Sequence, residues 1–422
     1  MQKMNKIIST IAIVLLLSFY LTGCREEGRI DHLDSSVVAP AAPTLVSVSS
    51  RPGGAVIRFS IPDDDNILGV MANYMRNGKE CWTQASRYTD SLVVEGYGNT
   101  DPQDVTLYSF AVNKKLSEGV KTTIIPLTPP VRSVEFELSE TFGGILVTLR
   151  NNLSETDLSA VLMIDTLLVD STKAASDIRW TDLHTFHTSS KEIKMPRRGI
   201  DPVKNIFGVY LRDRYGNYSD TLFKVLTPIE EIELPRSSFK NGNLPTDYLN
   251  YAEGNSNYRI ENLWDGTNTA FMATSHQGPI PQWFTIDLGY KASISRITKW
   301  PRANYELYSG TAPRTLEVWG STNPNPDGSW DDTWHLLGKF EQFKPSGYGE
   351  GSQVGTITDE DKDYWYNKTE WELIPTDDVP DPYQVVSYVR IKTTSTFGTY
   401  GTDSQVSQVI IGELFFWGQV KE

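Results

Sequence analysis

The residue types best suited to chemistry in this 422-residue chain lie in its last third. Asp265-Gly266-Thr267-Asn268-Thr269 sets a carboxylate before a tight turn that exposes carbonyls and a hydroxyl, the oxygen-only set a hard cation such as Ca2+ prefers. The same residues suit an Asx-type turn in which the aspartate caps backbone amides. Three further segments mix flat aromatics with polar tips: Ser275-His276-Gln277-Gly278, Arg302-Ala303-Asn304-Tyr305 with Tyr308 beyond, and Thr396-Phe397-Gly398-Thr399-Tyr400-Gly401. Such rings can stack on the C–H face of a sugar while His, Arg or Asn bonds its hydroxyls. Tyr305 or Tyr308 could equally cover a sheet edge, and Arg302 could pair with a carboxylate. Gly398 and Gly401 argue for an exposed loop around Phe397 and Tyr400.

Bond-making chemistry has little support. The chain has five histidines, and HExxH, GxSxG, CxxC and Walker-type glycine patterns are absent. His184 and His187 would share a face only on a helix, whereas TDLHTFHTS reads as extended or turn. The runs Asp63-Asp64-Asp65 and Asp359-Glu360-Asp361 read as solvated turns. The expectation is a chain that binds and is not an enzyme.

Composition points to the elements that must carry these segments. An aromatic content of 11% with 31 glycines and 23 prolines favours all-β domains, because β-branched and aromatic side chains suit pleated, half-buried surfaces. The formal charge of −14 argues against nucleic acid, which needs clustered Lys and Arg. Cys81 and Cys24 are the two cysteines, and Cys81 beside Trp82 reads as a small buried hydrophobe. Pro52-Gly53-Gly54 feeding AVIRF is echoed by Phe142-Gly143-Gly144 feeding ILVTL. Each copy reaches a polar turn, NKKLSEG or DRYGNYSD, and closes on Leu-Thr-Pro. Two units over 40–129 and 130–229 are expected, resembling fibronectin type III or immunoglobulin-like sandwiches. Pro129-Pro130 and the Pro228 to Pro235 stretch read as short, stiff joints. Trp283, Trp319 and Trp417 lie in strand patterns, and they and the Trp330/Trp334 pair are expected in the core.

Lys3 and Lys6 precede an apolar run from Ile7 to Leu21, too short to span a bilayer and placed where a secretory signal belongs. Leu21-Thr22-Gly23-Cys24 resembles a bacterial lipobox, which implies a signal peptide over 1–23 and a lipid on Cys24. Residues 24–39 then form a tether, and Arg25-Glu26-Glu27 resembles the acidic export tag of Bacteroidetes surface lipoproteins.

WDGTNTAF, QWFTIDLG, TLEVWGS, YVRI and GELFFWG follow one another over 235–422 and together resemble the discoidin-like, or coagulation-factor type C, module. That resemblance implies a jelly-roll β-sandwich after the two smaller sandwiches, with binding loops at one end. It also implies a structural Ca2+ held by Asp265, Thr267, Thr269 and Glu413. By the same resemblance, His276, Arg302, Asn304, Tyr305, Tyr348, Phe397 and Tyr400 are the ligand-binding candidates.

The whole arrangement resembles surface lipoproteins of Bacteroidetes polysaccharide-utilisation systems. It implies capture of a polysaccharide or oligosaccharide at the outer membrane, with contact to the membrane through the lipid alone. The alternative is a protein-binding role, as a subunit of an outer-membrane transporter complex or as a host-directed adhesin.

Overall fold

The computed structural model describes residues 38–165, 178–249, 256–276, 278–302, 307–351, 353–367 and 369–421. The expected lipobox cysteine, Cys24, lies outside them, as do Asn304 and Tyr305. Nearly all regular structure is strand, and the all-β expectation holds.

The first sandwich comprises β1 (Thr44–Arg51), β2 (Gly54–Ser60), β3 (Ile67–Arg76), β4 (Lys79–Ser86), β5 (Ser91–Glu95), β6 (Gln103–Ala111) and β7 (Val120–Ile124). The second comprises β8 (Glu135–Thr141), β9 (Gly144–Arg150), β10 (Leu158–Asp165), β11 (Trp180–Thr188), β12 (Ile193–Arg198), β13 (Asn205–Asp213) and β14 (Leu222–Leu226). Their sheets match: β1-β2-β5 over β4-β3-β6-β7, then β8-β9-β12 over β11-β10-β13-β14. Period-two alternation buries Ile57, Val70, Val94 and Leu107 in one core and Ile145, Val147, Leu162 and Val209 in the other.

Both Gly-Gly pairs have the same physical reason. Gly53 and Gly143 take φ of +66° and +65°, a left-handed turn that costs glycine nothing. A Cβ on Gly54 would collide with the Val94 carbonyl, and one on Gly144 with the Arg197 carbonyl. The polar turns repeat in atomic detail: Ser117 Oγ accepts from Ser109 N–H and Ser219 Oγ from Leu211 N–H. The closing segments are offset, however. Leu127 bridges Pro52 in the first copy, whereas Ile229, not Leu226, bridges Phe142 in the second.

Both joints are built from side chains. The Tyr215 hydroxyl donates to Glu95 at 2.5 Å, Arg76 lies 4.8 Å over the Tyr215 ring, and Asn217 Nδ2 donates to the Gly96 carbonyl at 3.0 Å. At the second joint Glu231, from the proline-flanked connection, pairs with Arg198 of β12 at 2.7 Å and with Arg296 at 3.0 Å. Arg198 also forks onto Glu372, Lys194 Nζ donates to the Pro375 carbonyl, and the Tyr383 ring packs edge-on against Phe142.

The third sandwich begins with β15 (Ile232–Glu233), β16 (Lys240–Asn241), β17 (Met272–Ala273), β18 (Gly278–Pro279), β19 (Gln282–Trp300) and β20 (Pro313–Ser321). It continues with β21 (His335–Glu341), β22 (Glu370–Glu372), β23 (Val385–Thr396), β24 (Val406–Ser407), β25 (Ile410–Ile411) and β26 (Glu413–Lys421). Its main sheet runs β15-β26-β19-β23-β20-β21, with β16 and β22 also paired to β19. Phe284, Ile286, Val318, Ile391 and Phe416 fill the core on one face of that sheet.

Two expectations are corrected here. The Asp359-Glu360-Asp361 run opens a helix, Asp359–Asn367, in place of a solvated turn. Asp361 is fully buried: Thr358 N–H donates to its carboxylate while Asp361 N–H returns to Thr358 Oγ1, and Ser346 and Lys344 complete its partners. Trp283 and Trp319 are half-buried on the sheet face away from the core, and Trp330 is 36% exposed, leaving Trp334 as the deeply buried member of that group. Cys81 is partly buried against the first core, with its thiol 3.7 Å from the Lys79 carbonyl.

Candidate functional site

Short pairings gather the candidate loops at one end of the third sandwich. β18 pairs with β24, and β17 with β25, which ties the His276 segment to the strands that follow Tyr400. Gly398 N–H donates to the Gly310 carbonyl at 2.8 Å and Ile410 N–H to the Thr311 carbonyl at 3.2 Å. The stretch that carries Gly310 and Thr311 is thereby held against the other two. His276 is exposed at this end, and Arg302 is half-buried with its guanidinium 4.1 Å over the Phe271 ring.

Phe397 and Tyr400 are less free than the flanking glycines suggested. Phe397 is half-buried, edge-on to Tyr308 at 5.9 Å and near Trp365 at 6.0 Å. Tyr400 lies 3.6 Å from the guanidinium carbon of Arg314, which also contacts Tyr348 at 4.1 Å, Phe397 at 5.6 Å and Glu341 at 3.2 Å. The buried Arg314 cation therefore gathers the loop's rings around itself, an attraction that strengthens when desolvated. Sequence spacing gave no sign of this, because Arg314 sits among strand residues of β20. The Tyr348 hydroxyl donates to the Gln342 carbonyl, and burial pushes its pKa up. These rings form the wall of the loop end, with only part of each ring facing solvent.

The acidic turn takes the capped form. Thr267 N–H donates to Asp265 Oδ1 at 2.8 Å, and the hydroxyls of Thr267 and Thr269 lie 3.2 Å apart. Glu413 reaches the same turn from β26: its Oε1 accepts from Gly266 N–H at 2.9 Å and from Arg236, while burial raises its pKa. Its Oε2 is buried and has no hydrogen-bond partner among the described residues. Glu413 thus bonds the backbone of the turn that carries Asp265, Thr267 and Thr269, and its unpartnered oxygen and the turn's hydroxyls are oxygen donors of the type a calcium ion uses. Arg236 already meets the glutamate's charge at its other oxygen. Among the described residues, no group of three or more His, Cys, Asp or Glu side chains is placed to hold a metal ion.

A second charged centre lies beneath the sheet's outer face. Arg390 is fully buried between the rings of Trp330, at 4.6 Å, and Trp334, at 4.1 Å. Asp247 stands 3.7 Å from it and accepts from Thr285 Oγ1 and N–H. Burial, opposed by Arg390, pushes the Asp247 pKa up to about 6. His184 and His187 sit on the extended β11, as read from sequence, and His187 Nδ1 is 3.0 Å from Ser159 Oγ.

Three family models match the chain. Each is described as a domain of unknown function: DUF4959 over residues 40–126, DUF5126 over 127–237 and DUF5000 over 260–418. No curated protein matches. Among solved structures, a SusE-like protein is 29% identical, covering 69% of this chain and 100% of its own at a TM-score of 0.41. A putative chitobiase fragment from Bacteroides thetaiotaomicron is 15% identical over 45% of this chain and 95% of its own, with a TM-score of 0.31. The family 32 carbohydrate-binding module of NanJ from C. perfringens, solved with galactose, is 13% identical over 44% of this chain and 98% of its own, with a TM-score of 0.27.

Proposed function

We propose that this chain is a non-catalytic glycan-binding protein that holds a polysaccharide at the loop end of its third sandwich. The observation that carries the reading is the convergence there of His276, Arg302 and the ring wall of Phe397, Tyr400 and Tyr348. A partly exposed ring wall beside polar tips offers a sugar both stacking and hydrogen bonds. An affinity in the micromolar to millimolar range, roughly −4 to −8 kcal/mol, would suffice where many copies engage one polymer. A lipid on Cys24 would supply such a two-dimensional array at an outer membrane. The side-chain joints would keep the loop end directed away from the tether. A structural Ca2+ belongs to the same reading: Glu413 Oε2, Asp265, Thr267 and Thr269 would hold it, stiffening the turn without taking part in binding.

A glycan array probed with full-length protein tests the reading. Signal from one family of polysaccharides, reduced at least fivefold in Arg302→Ala, is the expected result. No glycan signal together with co-purification of a transporter would move the function to protein binding.

A further inference from the structure

The outer face of the main sheet carries features that the loop-end reading does not use. Strand register sets Trp283 of β19, Lys392 of β23 and Glu317 of β20 in one row, with Thr285, Arg390 and Trp319 in the next. The alternate residues Phe284, Ile391 and Val318 point into the core, so both rows face outward. Trp330, from the connection before β21, lies over these rows. Its ring centroid is 5.4 Å from Trp283 and 5.2 Å from Trp319, with both flanking rings steeply inclined to it at 80° and 73°.

Buried Arg390 sits against one face of Trp330, and Lys392 Nζ is 5.4 Å from the same ring. Trp330 keeps 36% of its surface exposed despite these neighbours. Beside it, Glu317 Oε2 accepts from Trp319 Nε1 at 2.9 Å and from Lys392 Nζ at 3.0 Å. No hydrogen bond falls on Glu317 Oε1 among the described residues. An apolar protein partner laid on this face would bury that ion pair without replacing its water, which is costly. A polyanion would find the lysine already neutralised. A neutral polyol suits both features, since its C–H face stacks on an indole and its hydroxyls bond to a carboxylate and an ammonium.

We propose that this face is a second saccharide-binding surface, taking a neutral pyranose unit of a glycan chain with Trp330 as the stacking floor and Glu317 and Lys392 bonding its hydroxyls. It lies on the sheet and uses different side chains from the loop end, although Tyr248 links the two: its ring packs on Trp283 at 5.0 Å and its carbonyl accepts from Ser275 N–H. Two surfaces on one domain would let a single chain engage a polymer twice, so long glycans would bind more tightly than short ones.

The test is affinity electrophoresis of full-length protein through gels containing starch, xyloglucan, galactan or mannan, with polygalacturonate as the anionic control. Trp330→Leu keeps an apolar cover on Arg390 but removes the flat ring, and Glu317→Gln keeps the side chain's shape. The expected result is retardation of the wild type by one neutral polysaccharide, weakened at least fivefold in each variant, with melting temperatures close to wild type. Should Trp330→Leu fail to fold, Glu317→Gln decides. Retardation lost in His276→Ala but intact in both sheet-face variants would overturn this surface and leave the loop end standing. The opposite pattern would do the reverse, and no retardation of the wild type by any neutral polysaccharide would overturn the proposal.

Discussion

Arg198→Ala should disconnect the second sandwich from the third. Its guanidinium donates to Glu372, Glu231 and the Phe142 carbonyl, with a side chain only 12% exposed. Removing one partner of a buried pair costs about 3–5 kcal/mol, because the other charge is left desolvated. Glu231 keeps Arg296 at 3.0 Å and Ser295 Oγ, so its charge stays answered. Glu372 loses its ion-pair partner but is one-quarter exposed, which limits the penalty. The expected cost is therefore at the low end, about 3 kcal/mol. Lysine should recover little, since it cannot span both carboxylates with a planar fork. Burial already raises the Glu372 pKa from its ordinary 4.5, with Arg198 opposing, and loss of the arginine should raise it further. A raised carboxyl pKa contributes stability that is complete below 4.5 and lost as pH rises through the folded value, so the variant's deficit should shrink on acidification. Small-angle scattering should report a broader range of end-to-end distances in the variant, and urea unfolding of the third sandwich should shift to lower denaturant. Unchanged scattering with a loss below about 1 kcal/mol would refute the claim that this network fixes the joint.

Other outcomes follow from individual groups. Asp247, held at about 6 by burial, should give a stability term that falls as pH rises from 3.8 through 6, on the order of 3 kcal/mol in full. Asp247→Asn should flatten that slope in melting curves across pH 4–7, and an unchanged slope would contradict the assignment. Millimolar Ca2+ should raise the melting temperature, and Glu413→Gln should abolish the rise; saturation at a hundredfold over Kd corresponds to about 2.7 kcal/mol. A melting temperature indifferent to chelator would count against calcium at this turn. Phe397→Ala removes a ring packed on Tyr308 and Trp365, so it should cost about 2–3 kcal/mol in addition to weakening any ligand. Full stability in that variant would mean the ring wall is not packed as described.

The strand framework was legible because its signals are local. Period-two alternation marked β2 and β9, and the Gly-Gly pairs marked turns whose positive φ and close carbonyl approach need glycine. The three candidate loops were legible as residue types, and chain topology brought them together. Less legible were interactions between residues far apart in sequence. Arg314 collecting Tyr348 and Tyr400, and Arg236 claiming Glu413, pair residues separated by dozens of positions. The tryptophans misled for a related reason: strand pattern shows that Trp283 and Trp319 sit in the sheet, but not that their face lies opposite the core. The DED run misled because its helix depends on Ser346 and Lys344 from another segment to satisfy Asp361.

The central claim, non-covalent glycan capture at the loop end, is tested most directly by a crystal structure of the full-length protein with an oligosaccharide from its bound polysaccharide. The account expects an intact sugar within hydrogen-bond reach of His276 or Arg302, with a pyranose ring against Tyr400 or Phe397. A sugar cleaved in the crystal, or one seated solely on the first two sandwiches, would contradict it.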